Sequence, residues 1–207
     1  MTGSMTAAEF GKRCSVPRET MDQLICYSDL LVKWQNSINL VSNATLEDMW
    51  RRHFYDSAQL IDHIKKGKTS SNILDVGSGA GFPGLVLSIM GAGKVQLVES
   101  NGKKCAFMKQ VIQKTGIDAI VQNERVEKIE ACSIDFITSR ACADLEKLLS
   151  ITAHLITPRT ECLFLKGQKA EEEIKRASKK WDFKIKKIIS KSEESGMILK
   201  LSEIRVY

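Results

Sequence analysis

The segment of the sequence with the clearest chemical potential is a run of glycines that begins just after Asp75. Residues 75–84 read Asp-Val-Gly-Ser-Gly-Ala-Gly-Phe-Pro-Gly, so Gly77, Gly79 and Gly81 stand at every second position. Glycines let a backbone turn tightly and approach a ligand closely. The segment therefore predicts a loop that holds a nucleotide-like cofactor against its main chain.

Two cofactor classes fit this loop. Residues 79–84 satisfy Gly-x-Gly-x-x-Gly, which is the dinucleotide-binding pattern. Read from Asp75, the spacing Asp-x-Gly-x-Gly-x-Gly resembles the first motif of the class I methyltransferases that use S-adenosylmethionine. That cofactor carries an ammonium, which nearby negative charge favours, and a carboxylate, which free N–H groups at a helix start favour.

A second acidic residue, Glu99, ends the next predicted strand and lies 22 residues beyond Gly77. A carboxylate at that distance can accept hydrogen bonds from both ribose hydroxyls of an adenosine cofactor. Nicotinamide enzymes share the feature, so Glu99 indicates adenosine without choosing between the two classes.

The elements that must position these residues alternate between strand and helix, which predicts an α/β fold with a mostly parallel sheet. At the C-terminus, residues 183–189 and 197–207 instead predict an antiparallel hairpin. The other predicted strands are residues 73–76, 95–98, 119–121, 134–137 and 162–165, and the helices between them are residues 84–90, 103–115 and 145–155.

Two amphipathic helices are predicted ahead of the sheet. The first runs from Pro17 to about Gln35, with its apolar stripe at Met21, Leu24, Ile25, Leu31 and Val32. The second runs from Thr45, in a capping box with Asp48, to about Ile64. Its inward stripe would be Leu46, Met49, Trp50, His53, Ser57, Leu60, Ile61 and Ile64.

The 207 residues are enough for one α/β core with a modest extension. We expect residues 1–4 to be a cloning remnant, residues 5–66 to form an N-terminal helical extension packed on the core, and residues 67–207 to form that core. The whole would function as a single domain.

The formal charge of +6 comes from one segment of the chain. Between Lys166 and Lys191 the sequence has ten basic and four acidic residues, and the rest of the chain is balanced. A polyanion such as RNA is one partner that this stretch would suit, and a solvated lysine-rich face is the alternative.

An ordered set of motifs resembles one family along the whole chain: the bacterial 16S ribosomal RNA guanine-N7 methyltransferases, called ribosomal small subunit methyltransferase G or glucose-inhibited division protein B. Arg-His-x-x-Asp-Ser and Ser-Arg-Ala are the most specific motifs of the set. The matching residues are Trp34, Asn39-Leu40, Arg52-His53, Asp56-Ser57, 75–84, Glu99-Ser100, Lys103-Lys104, Arg125-Val126-Glu127, Ser139-Arg140-Ala141 and 165–168.

The resemblance implies a class I S-adenosylmethionine-dependent methyltransferase, with a Rossmann-like sheet, that methylates N7 of a guanine in the 530 loop of 16S rRNA. The small ribosomal subunit would be its substrate. By motif, Gly77 and Phe82 would line the cofactor, Glu99 would bind its ribose, and Val126 and Glu127 would meet the adenine edge. The cofactor-binding set is then Asp75, Gly77, Ser78, Gly79, Phe82, Glu99, Val126, Glu127 and Arg140.

Arg140 is the predicted catalytic residue, in a positioning role. Guanine N7 carries an in-plane lone pair at neutral pH, so its methylation needs alignment and electrostatics but no general base. The stretch 138–141 lacks the Asn/Asp-Pro-Pro-aromatic motif that amino-group methylases often carry. Cytosine-C5 methylation would need a cysteine, and nothing around the nearby Cys142 indicates an activated thiolate.

We expect RNA contacts from Arg140, Lys166 and His53. A guanidinium suits either guanine O6 or a phosphate. The alternatives are an Arg140 that merely pairs with Asp144 on the following turn, and a His53 that is an ordinary core residue.

No metal ligand set and no apolar stretch long enough for a bilayer are seen in the sequence. We expect a cytoplasmic, monomeric protein. Two alternatives stay open: a methyltransferase of the same fold that acts on another RNA, a small molecule or a protein, and a nicotinamide-nucleotide-binding protein.

Overall fold

A seven-stranded mixed sheet forms the centre of the molecule, which a computed structural model describes over residues 4–64, 71–130 and 133–207. The strand order is β3-β2-β1-β4-β5-β7-β6. The strands are β1 (Asn72–Val76), β2 (Lys94–Val98), β3 (Ala119–Gln122), β4 (Phe136–Arg140), β5 (Glu161–Lys166), β6 (Trp181–Ile189) and β7 (Met197–Val206).

Strands β1 to β5 are parallel, whereas β7 is antiparallel to both β5 and β6. The prediction of a mostly parallel sheet with a C-terminal antiparallel hairpin is therefore confirmed. Strand β1 lies between β2 and β4, so the chain changes direction across the sheet at the carboxyl end of β1. Ligands bind at such switch points in open α/β sheets.

Helices cover both faces of the sheet and precede it. The α-helices are α1 (Ala7–Cys14), α2 (Arg18–Gln35), α3 (Asn43–Leu46), α4 (Asp56–Ala58), α5 (Ile61–Ile64), α6 (Gly84–Ile89), α7 (Gly102–Thr115), α8 (Leu145–Thr152) and α9 (Ala170–Ala177). Short 3₁₀ turns span Val126–Lys128 and Ala153–Leu155. None of the described helices is long and apolar enough to cross a membrane.

The prediction of one helix from Thr45 to Ile64 is wrong. The segment is broken into α3, a π-helix at Trp50–Tyr55, α4 and α5. Ser42 and not Thr45 is the N-terminal cap of α3, and Asp48 accepts a hydrogen bond from the Met5 N–H at 2.8 Å. Both His53 and Phe54, which are consecutive residues of the π-helix, are buried.

Helix α2 occupies the predicted span, but its buried face differs from the predicted stripe. Leu24 and Leu31 are buried as expected, whereas Ile25 and Val32 are exposed. Tyr27 takes their place in the core, at the helical spacing of Leu24 and Leu31. Helix α1 was not predicted, although Thr6 and Glu9 form a complete capping box at its start.

The N-terminal helices and the sheet share one apolar core. Phe10, Tyr27 and Phe54 belong to the same buried cluster as Leu85 of α6 and Phe107 of α7. Residues 1–3 of the expected remnant, and the expected boundary between residues 66 and 67, lie outside the described residues. The division at that boundary stays a prediction.

Candidate cofactor and RNA site

A cavity of about 900 Å³ opens at the carboxyl ends of the parallel strands. The glycine loop, Glu99 and the 3₁₀ turn after β3 line the cavity. Residues of the segment 40–56 and of the turn between β6 and β7 line it as well. Apart from Asp75, the cofactor-binding residues predicted from separate motifs all line this one cavity.

Asp75 lies beneath this cavity and not on its wall. Its side chain is fully buried, Oδ1 accepts from the Thr138 hydroxyl at 2.8 Å, and Oδ2 accepts from the Gly84 N–H at 3.2 Å. Burial raises the pKa of the carboxyl to about 6, and these hydrogen bonds oppose the rise. Asp75 therefore ties β1 to β4 and to the start of α6, and of the predicted cofactor-binding residues it is one that does not line the cavity.

The glycine loop is held mainly through its own N–H groups. Those of Gly77 and Ser78 donate to the carbonyl of Val98, and that of Gly79 donates to Oε2 of Glu99 at 3.0 Å. The Ser78 hydroxyl donates to the Asp75 carbonyl. Most of the N–H groups expected to be free for a ligand carboxylate are therefore engaged within the protein.

Gly77 shows why the loop is glycine-rich. Its φ of +66° lies in the left-handed region, and a Cβ there would lie 2.3 Å from Sγ of Cys142. Cys142, on the loop after β4, thus sits directly against the cofactor loop. Partial desolvation of the thiol, together with the charges of Glu99 and Asp75, raises its pKa, which is the opposite of an activated nucleophile.

Val126 and Glu127, predicted to meet the adenine edge, are among the residues that line the cavity. They begin the 3₁₀ turn after β3, and Glu99 lines the same cavity. Val126 is buried and Glu127 is exposed, which offers a planar ring an apolar face and a polar rim.

Phe82 lies at the centre of an aromatic cluster, and little of it is open to a cofactor. Its ring, 2 % exposed, stacks on Tyr27 at 5.1 Å and on His53 at 5.1 Å. Tyr27 also donates its hydroxyl to the Ala80 carbonyl at 2.6 Å, so α2 holds the glycine loop directly. The predicted stripe omitted Tyr27, and its spacing to Leu24 and Leu31 was the available signal.

His53 is 7 % exposed and lines the cavity from the π-helix. Its Nε2 lies 2.9 Å from the Thr45 hydroxyl, whereas its buried Nδ1 has no hydrogen-bond partner. Burial, with the positive charges of Arg140 and Arg52, lowers the pKa of His53 to about 3. The imidazole is therefore neutral at pH 7.

Arg140 ends β4 and reaches across to the π-helix. Its Nη1 donates to the carbonyl of Arg52 at 2.9 Å and lies 3.5 Å from Oδ2 of Asp56. The guanidinium carbon lies 5.0 Å from the centre of the Phe82 ring. Asp144 pairs with Arg176 instead, so the alternative of an Arg140–Asp144 pair is wrong.

Lys166 does not match its predicted role as an RNA contact. Its side chain is 6 % exposed, and Nζ is 2.8 Å from Oε2 of Glu173 and 2.5 Å from the carbonyl of Ala143. The same Glu173 oxygen accepts from the Leu145 N–H. Lys166 and Glu173 thus both bond to the backbone around the loop after β4. Their ion pair neutralises the ammonium inside the protein.

Carboxylates neutralise part of the lysine-rich stretch. Lys184, Lys187 and Lys191 form ion pairs with Glu203, Glu171 and Asp62. Within the described residues, the side chains that could hold a metal ion form no group of three or more.

The sheet order, the glycine loop after β1 and the acid after β2 define the class I S-adenosylmethionine-dependent methyltransferase fold. A methyltransferase of this cofactor class from Aquifex aeolicus superposes with a TM-score of 0.57 at 18% identity, over 76% of this chain and 95% of that one. A family model described as rRNA small subunit methyltransferase G matches residues 20–197. The chain belongs to this family.

Curated relatives agree with this assignment. The chain is 45% identical over 201 residues to the ribosomal RNA small subunit methyltransferase G of Rhodospirillum centenum, covering 97% of this chain and 92% of the relative. It is 43% identical over 200 residues to the protein of the same name from Paramagnetospirillum magneticum, covering 97% of both chains. These similarities support the methylation of ribosomal RNA with S-adenosylmethionine as the general activity.

Proposed function

We propose that this protein transfers a methyl group from S-adenosylmethionine to N7 of a guanine in the 530 loop of 16S rRNA. The small ribosomal subunit is the proposed substrate, and a cytoplasmic monomer is the proposed form. The family and the names of its relatives support small-subunit rRNA. The sequence resemblance supplies the base, its atom and the loop.

The residues around the cavity fit the cofactor. The glycine loop, with Gly77 and Gly79 at positive φ, can bring its backbone close to a ligand in the cavity, and Glu99 presents a carboxylate beside it. Glu99 would accept the ribose hydroxyls, and Val126 with Glu127 would enclose the adenine. When bound, the cofactor supplies a methyl group activated by a sulfonium.

The donors of Arg140 that are free within the described residues are compatible with a ring-nitrogen target. Nη1 donates to the Arg52 carbonyl and forms an ion pair with Asp56, whereas Nη2 and Nε have no hydrogen-bond partner within residues 4–64, 71–130 and 133–207. Those donors suit guanine O6 or a phosphate, and they cannot serve N7, which is the atom that is attacked. Arg140 therefore orients the base and leaves the reacting atom open.

His53 adds a neutral neighbour to the target base. Its Nδ1 is buried without a partner, and its ring is stacked on Phe82. A neutral imidazole can hydrogen-bond to a base without repelling the positive charge that the guanine gains on methylation. An amino-group target would need a general base, whereas N7 does not. His53 and Arg140 therefore contribute alignment.

Labelled cofactor and a panel of substrates test the choice of RNA. Purified protein is incubated with 30S subunits, 50S subunits, naked 16S rRNA and bulk tRNA taken from a strain that lacks the protein. We expect label in the 16S rRNA of 30S subunits or in naked 16S rRNA. Label confined to tRNA, 50S subunits or protein would favour the alternative of another class I substrate, and stabilisation by NADH but not by S-adenosylhomocysteine would favour the nicotinamide alternative.

A further inference from the structure

The carboxylate of Asp56 links Arg140 to the C-terminal turn, by which we mean residues 190–196 between β6 and β7. One oxygen, Oδ2, lies 3.5 Å from Nη1 of Arg140. The other, Oδ1, accepts from the hydroxyl of Ser192 at 2.6 Å and from Nε2 of Gln59 at 2.9 Å. The side chains of Asp56 and Arg140 are only 16% and 17% exposed. Asp56 thus has three partners on three different parts of the chain.

Gln59, which follows Asp56 by three residues, makes further hydrogen bonds to the C-terminal turn. Its Nε2 also donates to the Ser190 hydroxyl at 3.0 Å, and its Oε1 accepts from the Lys191 N–H at 3.0 Å. Position 192 is therefore held close to Asp56 by backbone as well as side-chain bonds. These contacts keep the carboxylate in one orientation, which an exposed aspartate would not maintain.

The geometry points to a single consequence for Arg140. A guanidinium is planar, and here one of its nitrogens bonds both Asp56 and the carbonyl of Arg52 while the group lies near the ring of Phe82. Without the Asp56 charge, the Arg52 carbonyl and the Phe82 ring would be the remaining partners of the guanidinium among the described residues. The guanidinium could then rotate, and the donors on Nη2 and Nε would lose their direction.

We propose that Asp56 is a positioning residue that sets the orientation of Arg140 for methyl transfer and is itself held by Ser192 and Gln59. The proposal rests on the proposed function, because it assigns Arg140 to the target base. Glu193, Gly196 and Met197 of the same hairpin also line the cavity. Substrate that enters the cavity therefore meets the turn and Arg140 together.

A double-mutant cycle between positions 56 and 140 tests this link. We expect Asp56→Asn to lower the single-turnover rate on 30S subunits at least fivefold in the wild type and less than twofold in Arg140→Ala. The dissociation constant of S-adenosylhomocysteine should change less than threefold. The control is Asp62→Asn, which removes an exposed ion pair to Lys191 of the same turn without touching Arg140, and it should keep more than half of the rate. A smaller loss in Asp56→Asn, or the same factor in both backgrounds, would overturn the proposal.

Urea unfolding of the same four proteins separates this inference from the proposed function, because it needs no substrate. The shift of the unfolding midpoint caused by Asp56→Asn should be at least twice as large with Arg140 present as with alanine at that position. Equal midpoint shifts in the two backgrounds would mean that Asp56 and Arg140 are not coupled, and would overturn the proposal. A wild type that methylates no RNA but shows this coupling would contradict the proposed function alone. If Asp56→Asn does not fold, Ser192→Ala takes its place, with the same direction expected in both measurements.

Discussion

Oε2 of Glu99 accepts a hydrogen bond from the backbone N–H of Gly79 at 3.0 Å, so the acid at the end of β2 also holds the glycine loop at the end of β1. Its other oxygen accepts from the Asn101 N–H at the start of α7. Each carboxylate oxygen has a further lone pair for a ribose hydroxyl. One side chain thus shapes the loop and offers the contact that the loop surrounds.

Glu99→Gln should therefore weaken S-adenosylhomocysteine binding at least tenfold. Hydrogen bonds to a charged group contribute about 1.5–3 kcal/mol, and about 1.4 kcal/mol corresponds to a factor of ten. Isothermal titration calorimetry measures the effect. Glu124→Gln is the matched control, because Glu124 lines the same cavity but pairs with Lys128, and it should change affinity less than twofold. Equal affinities in the two variants would remove Glu99 from the cofactor site.

Gly77→Ala should destabilise the protein more than Gly116→Ala does. Both glycines have a left-handed φ, +66° and +68°, which costs a side chain about 1–2 kcal/mol. A Cβ at Gly116 meets nothing within 4 Å, whereas one at Gly77 would collide with Cys142. Chemical denaturation gives the two losses. Adding Cys142→Gly should restore only the excess loss at position 77, and no restoration would show that the collision is not its cause.

The depressed pKa of His53 predicts a pH-dependent stability. The ordinary pKa of 6.5 applies in the unfolded chain, and burial lowers the native value to about 3. Between these values the unfolded state binds the extra proton, so this contribution to stability is complete above pH 6.5 and is lost as the pH falls, by about 1.4 kcal/mol per pH unit. Denaturation at a series of pH values should show a shallower loss for His53→Asn than for the wild type. Parallel curves from pH 7 to pH 4 would contradict a buried, neutral His53.

The lysine-rich stretch should contribute salt-sensitive attraction to RNA through those lysines that have no carboxylate partner. Lys179, Lys180 and Lys186 form no ion pair within the described parts of the chain, unlike Lys184, Lys187 and Lys191. Changing these three to Gln should flatten the dependence of 30S binding on salt, by about 0.7–0.9 in the logarithmic slope for each lysine that meets a phosphate. The position of the methylated base should not change. The matched control replaces the ion-paired lysines Lys184, Lys187 and Lys191 with Gln. If the variant of Lys179, Lys180 and Lys186 has the same salt dependence as the wild type, the stretch is only a solvated face.

The sequence was a good guide wherever local pattern determines structure. Alternating apolar runs predicted the strands, because burial on both faces of a parallel sheet requires them. The glycine spacing and Glu99 predicted one side of the cavity, because strand ends in such a sheet meet at one edge.

What the sequence could not predict depends on packing between distant segments. The π turn at Trp50–Tyr55 exists alongside a stacked aromatic cluster and a bond from Arg140 to the Arg52 carbonyl, and neither is visible in a helical pattern. Lys166 looked available at a strand end, but Glu173 on the following helix neutralises it. Asp75 looked like a ligand, but Thr138 and the Gly84 N–H occupy its oxygens.

The chemistry of the modified base tests the central claim most directly. N7-methylguanine, unlike guanine methylated elsewhere, becomes a site of strand scission after borohydride reduction and aniline treatment, and primer extension locates the break. Wild-type protein with 30S subunits or 16S rRNA should give one new stop, at a guanine in the 530 loop, and Arg140→Ala should give the same stop at a much lower rate with nearly unchanged affinity for S-adenosylhomocysteine. Methyl label in the RNA without scission, or a stop outside the 530 loop, would contradict methylation of that N7.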